Sequence, residues 1–212
     1  LSGAGMTLAN VDIVGKGGLS ARADTLSANG GSLYSAGTAD IRSQGSLTLR
    51  DLEVTSMREA TLSGTTVTFN GLDLLTGGGL GITAGTLAAT NSVLSAEKGI
   101  TFAVNGGLRL TGSSANAKGA VTVTGTAVEM DRSGLMAGGR LALTASSLTA
   151  GQSTLYSVLD QRLLLSGDVS VTGGEVTAGG GLRLSGKGVG LSGIDLLTLG
   201  DLTVTSSVFT DT

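Results

Sequence analysis

The sequence predicts an all-β chain: a right-handed parallel β-helix of about ten turns, each turn a rung of about 20 residues with three short strands. Three observations predict it. Apolar–polar–apolar triplets recur at a near-constant step along the whole chain. Proline is absent from all 212 residues, and aromatic residues make up only 2%. Glycine supplies 37 residues, well above the usual ~7%.

The first strand of each rung follows a glycine or another small residue. Its leading inward positions are read at Leu19, Ala39, Ala60, Leu80, Ile100, Val121, Leu141, Leu163, Leu182 and Leu202, giving steps of 20, 21, 20, 20, 21, 20, 22, 19 and 20 residues. The second strand starts about seven residues later, with inward pairs such as Leu26/Ala28, Leu47/Leu49, Val67/Phe69, Leu87/Ala89, Leu108/Leu110 and Val189/Leu191. A third, less regular segment holds Val11/Ile13, Leu33, Leu52/Val54, Leu72/Leu74, Val93, Leu135, Leu155, Val176 and Ile194/Leu196. Alternation within each segment is β-periodicity rather than helical spacing. Corners fall at Gly17-Gly18, Asn29-Gly30-Gly31, Asn70-Gly71, Asn105-Gly106-Gly107, Gly138-Gly139 and Gly173-Gly174, where positive φ is expected.

Composition fits this reading. Stacked strands use nearly every backbone donor, which excludes proline from their interiors. A narrow coil is filled by Leu, Val, Ile and Ala rather than by large rings. Right-handedness follows the crossover rule for parallel strands. The period is unbroken by any linker, so residues 1–212 read as one solenoid segment. With no initiator Met and a start in mid-pattern, the segment reads as part of a longer repeat-containing exoprotein.

Chemistry is narrowed by what the chain lacks. There is no His and no Cys, which excludes Ser-His-Asp and Cys-His catalysis, thiolate metal sites and disulfides. Net charge is −3 without a basic patch, so nucleic acid is not an expected partner. No apolar run reaches the ~18 residues of a membrane span. Gly188-Val189-Gly190-Leu191-Ser192-Gly193 matches GxGxxG, and Gly181 to Lys187 fits most of a phosphate-binding loop. Neither has the βαβ or helical context that would give it meaning, and both read as rung corners. The outward threonines are too mixed for a flat ice-binding ladder. No enzyme activity and no cofactor are expected.

Two features stand out as candidate sites. Asp12, Glu53, Asp73 and Asp195 lie between inward residues of the third segment. Glu53 and Asp73, on adjacent rungs, are the weak metal candidates, with Arg50 and Arg58 near enough in sequence to offset them instead. Tyr34 and Tyr156 recur in matching contexts, Ser32-Leu33-Tyr34-Ser35 and Thr154-Leu155-Tyr156-Ser157, and are expected outward on one face about six rungs apart. The 22-residue step implies a surface loop with about two extra residues between Gly151 and Arg162. Insertions in solenoids map to loops that bind partners. The candidate recognition surface is therefore Tyr34, Tyr156, Gln152, Asp160 and Arg162.

The units Gly17 to Gly37 (GGLSARADTLSANGGSLYSAG), Gly78 to Gly99 (GGLGITAGTLAATNSVLSAEKG) and Gly139 to Ser157 (GRLALTASSLTAGQSTLYS) resemble the haemagglutinin repeats of filamentous haemagglutinin and related two-partner-secretion exoproteins. The resemblance covers essentially the whole chain. It implies a β-helix shaft, export through an outer-membrane two-partner-secretion transporter, and a secreted or surface location on a Gram-negative bacterium. It also implies attachment to a host glycan, a host protein receptor or a neighbouring bacterial surface. A branch of the same family, the contact-dependent growth inhibition effectors, uses such a shaft as the stalk or receptor-binding section that delivers a C-terminal toxin. A polysaccharide-acting β-helix enzyme is the remaining alternative.

Overall fold

The computed structural model describes residues 1–211; Thr212, the last residue of the expected segment, lies outside them. The described chain is all strand and turn, wound as parallel strands into a solenoid of about ten turns. Every strand pairing is parallel, and each joins a strand to its equivalent one rung away. At ~4.8 Å per rung, ten rungs span about 50 Å. The interior is a single apolar column, with Phe69, Phe102, Ile41, Leu47, Leu62 and Leu74 fully buried. Each such apolar side chain stabilises the fold by ~1.5–3 kcal/mol before conformational entropy is set against it.

The pairing register corrects the expected phase at two places. Leu141 pairs with Gln161, not Leu163, and Gln161 pairs with Leu182. The rung from Leu141 is therefore of ordinary length, and the inserted loop between Gly151 and Arg162 does not exist. Gln161 fills the inward slot and is 1% exposed, with no hydrogen-bond partner for Oε1 or Nε2 among the described residues. Leu163 also points inward, two residues on, which is how an apolar reading slips from one to the other. At the other place Val93 faces out and Leu94 is buried; Leu94 pairs with Leu74.

Positive φ is confined to one corner, between the second and third strands. There every rung from Asn10 to Gly193 places at least one residue at positive φ: Asn10, Gly30, Asp51, Gly71, Asn91, Gly112, Arg132, Gln152, Gly173 and Gly193, with Gly31 and Gly174 following in two of the rungs. Non-glycine and glycine largely alternate for a steric reason. The Asp51 carboxylate folds over the next rung, so a Cβ on Gly71 would lie 2.6 Å from Asp51 Oδ1. Gly17, Gly18, Gly106, Gly107, Gly138 and Gly139 have ordinary φ; at Gly106 the need is closeness rather than handedness, since a Cβ there would lie 2.7 Å from Gly85 O.

One residue further on, a column of buried serines completes the hydrogen bonding. Leu72 N–H donates to Ser92 Oγ, Ser92 N–H to Ser113 Oγ, Ser113 N–H to Ser133 Oγ, and Ser133 N–H to Ser153 Oγ, all at 3.1–3.2 Å. Each hydroxyl in turn donates to the carbonyl two residues before it, as Ser113 does to Thr111. The side chains replace ladder bonds that the left-handed corner takes out of line.

The corner between the first and second strands gains one residue in every third rung, at Gln44-Gly45, Asn105-Gly106 and Ser166-Gly167. Gly45, Gly106 and Gly167 are spaced by 61 residues. The inward residue closing the first strand follows the same cycle: Ala23, Ser43, Gly64; Ala84, Val104, Gly125; Ala145, Leu165, Gly186. The third member is glycine because the chain cuts back beneath the bulge. A Cβ on Gly64 would sit 3.2 Å from Gly45 O and 3.3 Å from Leu47 Cβ.

Two stability predictions follow from the interior. Gln161→Leu removes an unpartnered buried amide and raises the urea midpoint, by about 1–3 kcal/mol of stability; an unchanged or lower midpoint contradicts it. Ser113→Ala strands the Ser92 N–H and lowers stability by a similar ~1–3 kcal/mol, whereas Ser95→Ala, on the outer surface, leaves the melting temperature within experimental error.

Candidate recognition surface

Because side chains alternate in each strand, the coil presents three outward faces, and the register says which residues share one. The third face carries two outward columns. One runs Ser32, Glu53, Asp73, Val93, Ser114, Gly134, Thr154, Glu175, Asp195. The other runs Tyr34, Thr55, Leu75, Ser95, Asn116, Met136, Tyr156, Thr177, Leu197. Tyr34 and Tyr156 thus stand on one face, six rungs apart. Between Leu75 and Tyr156 the small Ser95 and Asn116 leave a shallow apolar depression of about 400 Å³, bordered by Glu97 and Lys118. Its walls are exposed: Leu75 47%, Met136 37% and Tyr156 37%. This patch was not evident from sequence because no single segment contains it. Outward residues of five rungs compose it, and only a correct register brings them together.

The other expected recognition residues do not gather there. Gln152 is one of the left-handed corner residues. Asp160 lies at the corner after the third strand, where its Oδ2 is 3.4 Å from Arg140 Nε and its Oδ1 accepts the Gly181 N–H. Arg162 is exposed on the first face, directly paired with Arg183. Once the expected loop is gone, Tyr156 remains in the depression while these three serve other corners and faces.

Glu53 and Asp73 are direct register partners. No third acidic side chain joins them into a metal-ligating group among the described residues, and neither Arg50 nor Arg58 forms an ion pair with them there. Glu53 instead accepts a hydrogen bond from Thr55 Oγ1 at 3.4 Å. The GxGxxG run lies largely in the second strand, Gly188–Ser192, with Val189 and Leu191 buried, which leaves no phosphate cradle.

Several charges elsewhere are paired. Asp40 on the first face receives Arg22 Nη2 at 3.0 Å and Arg42 Nε at 2.5 Å. Partial burial pushes its carboxyl up, but the hydrogen bonds and charges of Arg42 and Arg22 together outweigh that and hold it below the usual carboxylate range. Arg109 and Glu129 lie 3.4 Å apart across adjacent rungs, and Lys118 contacts Glu97. Exposed pairs of this kind contribute little individually.

The model of the haemagglutinin repeat family matches the chain four times, over residues 1–51, 54–112, 101–173 and 159–212. The chain belongs to the haemagglutinin repeat family. No curated protein and no solved structure matches it significantly. Each match spans several stacked rungs, and the sequence resemblance to filamentous-haemagglutinin shafts stands at the level of the repeat.

A pH dependence follows from Asp40. A depressed carboxyl contributes stability above its unfolded value of ~3.9 and loses it as pH falls through the lower folded value. Wild type is expected to have the higher urea midpoint over Asp40→Asn at pH 6, with the gap closing as the solution is acidified below that value. A gap that is constant with pH would contradict the assignment.

Proposed function

We propose that this chain is a rigid section of shaft in a large secreted adhesin of filamentous-haemagglutinin type, attaching the cell that bears it to host or neighbouring cells. The observation that carries the reading is the inter-rung ladder, which continues through the strands and around the corners. Examples at the corner after the third strand are Ala36 N–H to Gly15 O, Gly77 N–H to Ser56 O and Gly138 N–H to Ala117 O, each 2.8 Å. A coil bonded in this way has a set rise per rung, so adding rungs adds reach. Family membership supports the same reading.

In this proposal the work is mechanical and adhesive rather than catalytic. The depression beside Tyr156 is the place on this section where a receptor glycan or protein would make contact, with the ring and Met136 offering an apolar platform and Glu97 and Lys118 a polar rim. Location on or outside a Gram-negative surface, and export by an outer-membrane transporter, belong to the same proposal. A chain free of Cys, and of the slow isomerisation of X-Pro bonds, suits export unfolded and winding rung by rung.

Beads coated with the folded chain are expected to bind cultured epithelial cells or bacterial cells several-fold above albumin-coated beads, with Tyr156→Ala/Met136→Ser reducing the excess. Binding equal to albumin on every cell type tested, from protein shown folded by circular dichroism, would overturn the adhesive reading. Small-angle scattering is expected to give a rod about 50 Å long.

A further inference from the structure

Two faces of the coil carry stacked like charges that nothing in the chain answers. On the first face, Arg162 and Arg183 are direct register partners and both are exposed. On the third face, in the same two rungs, Glu175 and Asp195 are register partners and exposed. Among the described residues, none of the four takes part in an ion pair. Like charges opposite one another in a ladder, ~4.8 Å apart, are destabilising. Other charged neighbours are answered within the chain: Asp40 pairs with both Arg22 and Arg42, which are register partners, and Glu129 lies across from Arg109.

The acidic patch also occurs twice. The third-face sequence Ser32/Tyr34, Glu53/Thr55, Asp73/Leu75 returns as Thr154/Tyr156, Glu175/Thr177, Asp195/Leu197, 122 residues later and six rungs along. Inward residues recur because the core requires apolar side chains. Outward residues carry no such requirement, so their return is not a by-product of packing. Local detail returns with them. Thr55 Oγ1 donates to Glu53 Oε1 and Thr177 Oγ1 to Glu175 Oε1, tying the first carboxylate of each pair in the same way. Each patch ends in an exposed leucine, Leu75 or Leu197, at 47% and 54%. The arginine pair has its own apolar neighbour, the half-buried Leu164.

We propose that these faces form a lateral contact between two copies of this chain, the first face of one laid against the third face of the next. Arg162 and Arg183 of one copy meet Glu175 and Asp195 of the other side by side, or Glu53 and Asp73 with a stagger of six rungs, about 29 Å. Both pairs have the rung spacing, so two ion pairs form together without distortion, and the like-charge repulsion within each copy is relieved. The contact uses different surfaces on the two copies, which makes it heterologous and able to extend beyond a dimer. It goes beyond the shaft role: shafts would bundle.

Sedimentation velocity of the chain at low and high salt tests this. Concentration-dependent association is expected at about 20 mM salt and its loss near 1 M, where the screening length is only ~3 Å. Arg162→Glu/Arg183→Glu is expected to weaken association on the order of tenfold or more, and so is the variant with Glu53, Asp73, Glu175 and Asp195 all changed to Arg. An equimolar mixture of the two variants, each shown folded by circular dichroism, is expected to associate again, since an acidic first face now meets a basic third face. A wild-type chain that stays monomeric at low salt overturns the proposal. So does an Arg162→Glu/Arg183→Glu variant that associates like wild type, which would place the contact at the ends of the coil. A wild-type monomer whose melting temperature rises with millimolar calcium also overturns it, making the carboxylate pairs a cation site instead.

Discussion

The hydrogen-bond ladder between rungs is the constraint on which the rest of this molecule depends. It runs through the three strands and on around the corners, where N–H groups such as those of Ala36, Gly77 and Gly138 find carbonyls one rung away. Buried backbone groups must be paired, so every rung has to follow nearly the same path as its neighbours. That requirement explains the absence of proline better than any local preference does. It also explains why a left-handed residue, once used at one corner, is used at that corner in every rung from Asn10 to Gly193.

Departures from the common path are possible only where they can be handed on and cancelled. The extra residue at Gly45, Gly106 and Gly167 is bonded on both sides. Gly45 N–H reaches Asp24 O at 2.7 Å, and Thr65 N–H of the next rung reaches Gly45 O at 2.7 Å. The next rung then drops the extra residue and closes the gap with Gly64, whose missing Cβ leaves room for Gly45 O and Leu47. A bulge, a glycine beneath it and a return to alanine make a three-rung block of 61 residues. The steps of 21 are therefore ordered features of the coil, and the 20-residue rung is a subunit of a longer repeat.

Most of the fold was legible because alternation and period are carried by many residues at once. One error could not shift the whole. Errors arose where a single residue broke the apolar rule. Gln161 occupies a core position as a polar side chain, so a reading guided by hydrophobicity passed over it to Leu163 and created an insertion that the register removes. The slip was silent because two residues preserve the inward parity. Val93 and Leu94 offered two adjacent apolar choices, and only the pairing of Leu94 with Leu74 decides between them. The candidate site suffered more than the fold. Gln152, Asp160 and Arg162 were grouped by a loop, and without it they belong to a backbone corner, an ion pair with Arg140 and the first face. Tyr34 and Tyr156 kept their shared face although Tyr156 lies in the misread rung, because its phase is set by the buried Leu155 beside it, which pairs with Leu135, and not by Leu163.

Information in such a coil is divided between its two surfaces. The inside accepts Leu, Val, Ile, Phe or Ala at equivalent places, as Ile41, Leu62, Ile82 and Phe102 show in one buried column. Inward identity therefore says that the chain is a shaft and little about which one. The outer columns have no packing to satisfy, and a charge or ring placed there persists along the axis only as far as its own rung. For that reason the return of Tyr, Glu, Thr, Asp and Leu on one face after six rungs, with the same threonine-to-glutamate hydrogen bond, carries more functional meaning than any stretch of the core. Specificity in this chain lies in which outward residues the ladder brings to the same height and face, a property of register that no single segment of sequence contains.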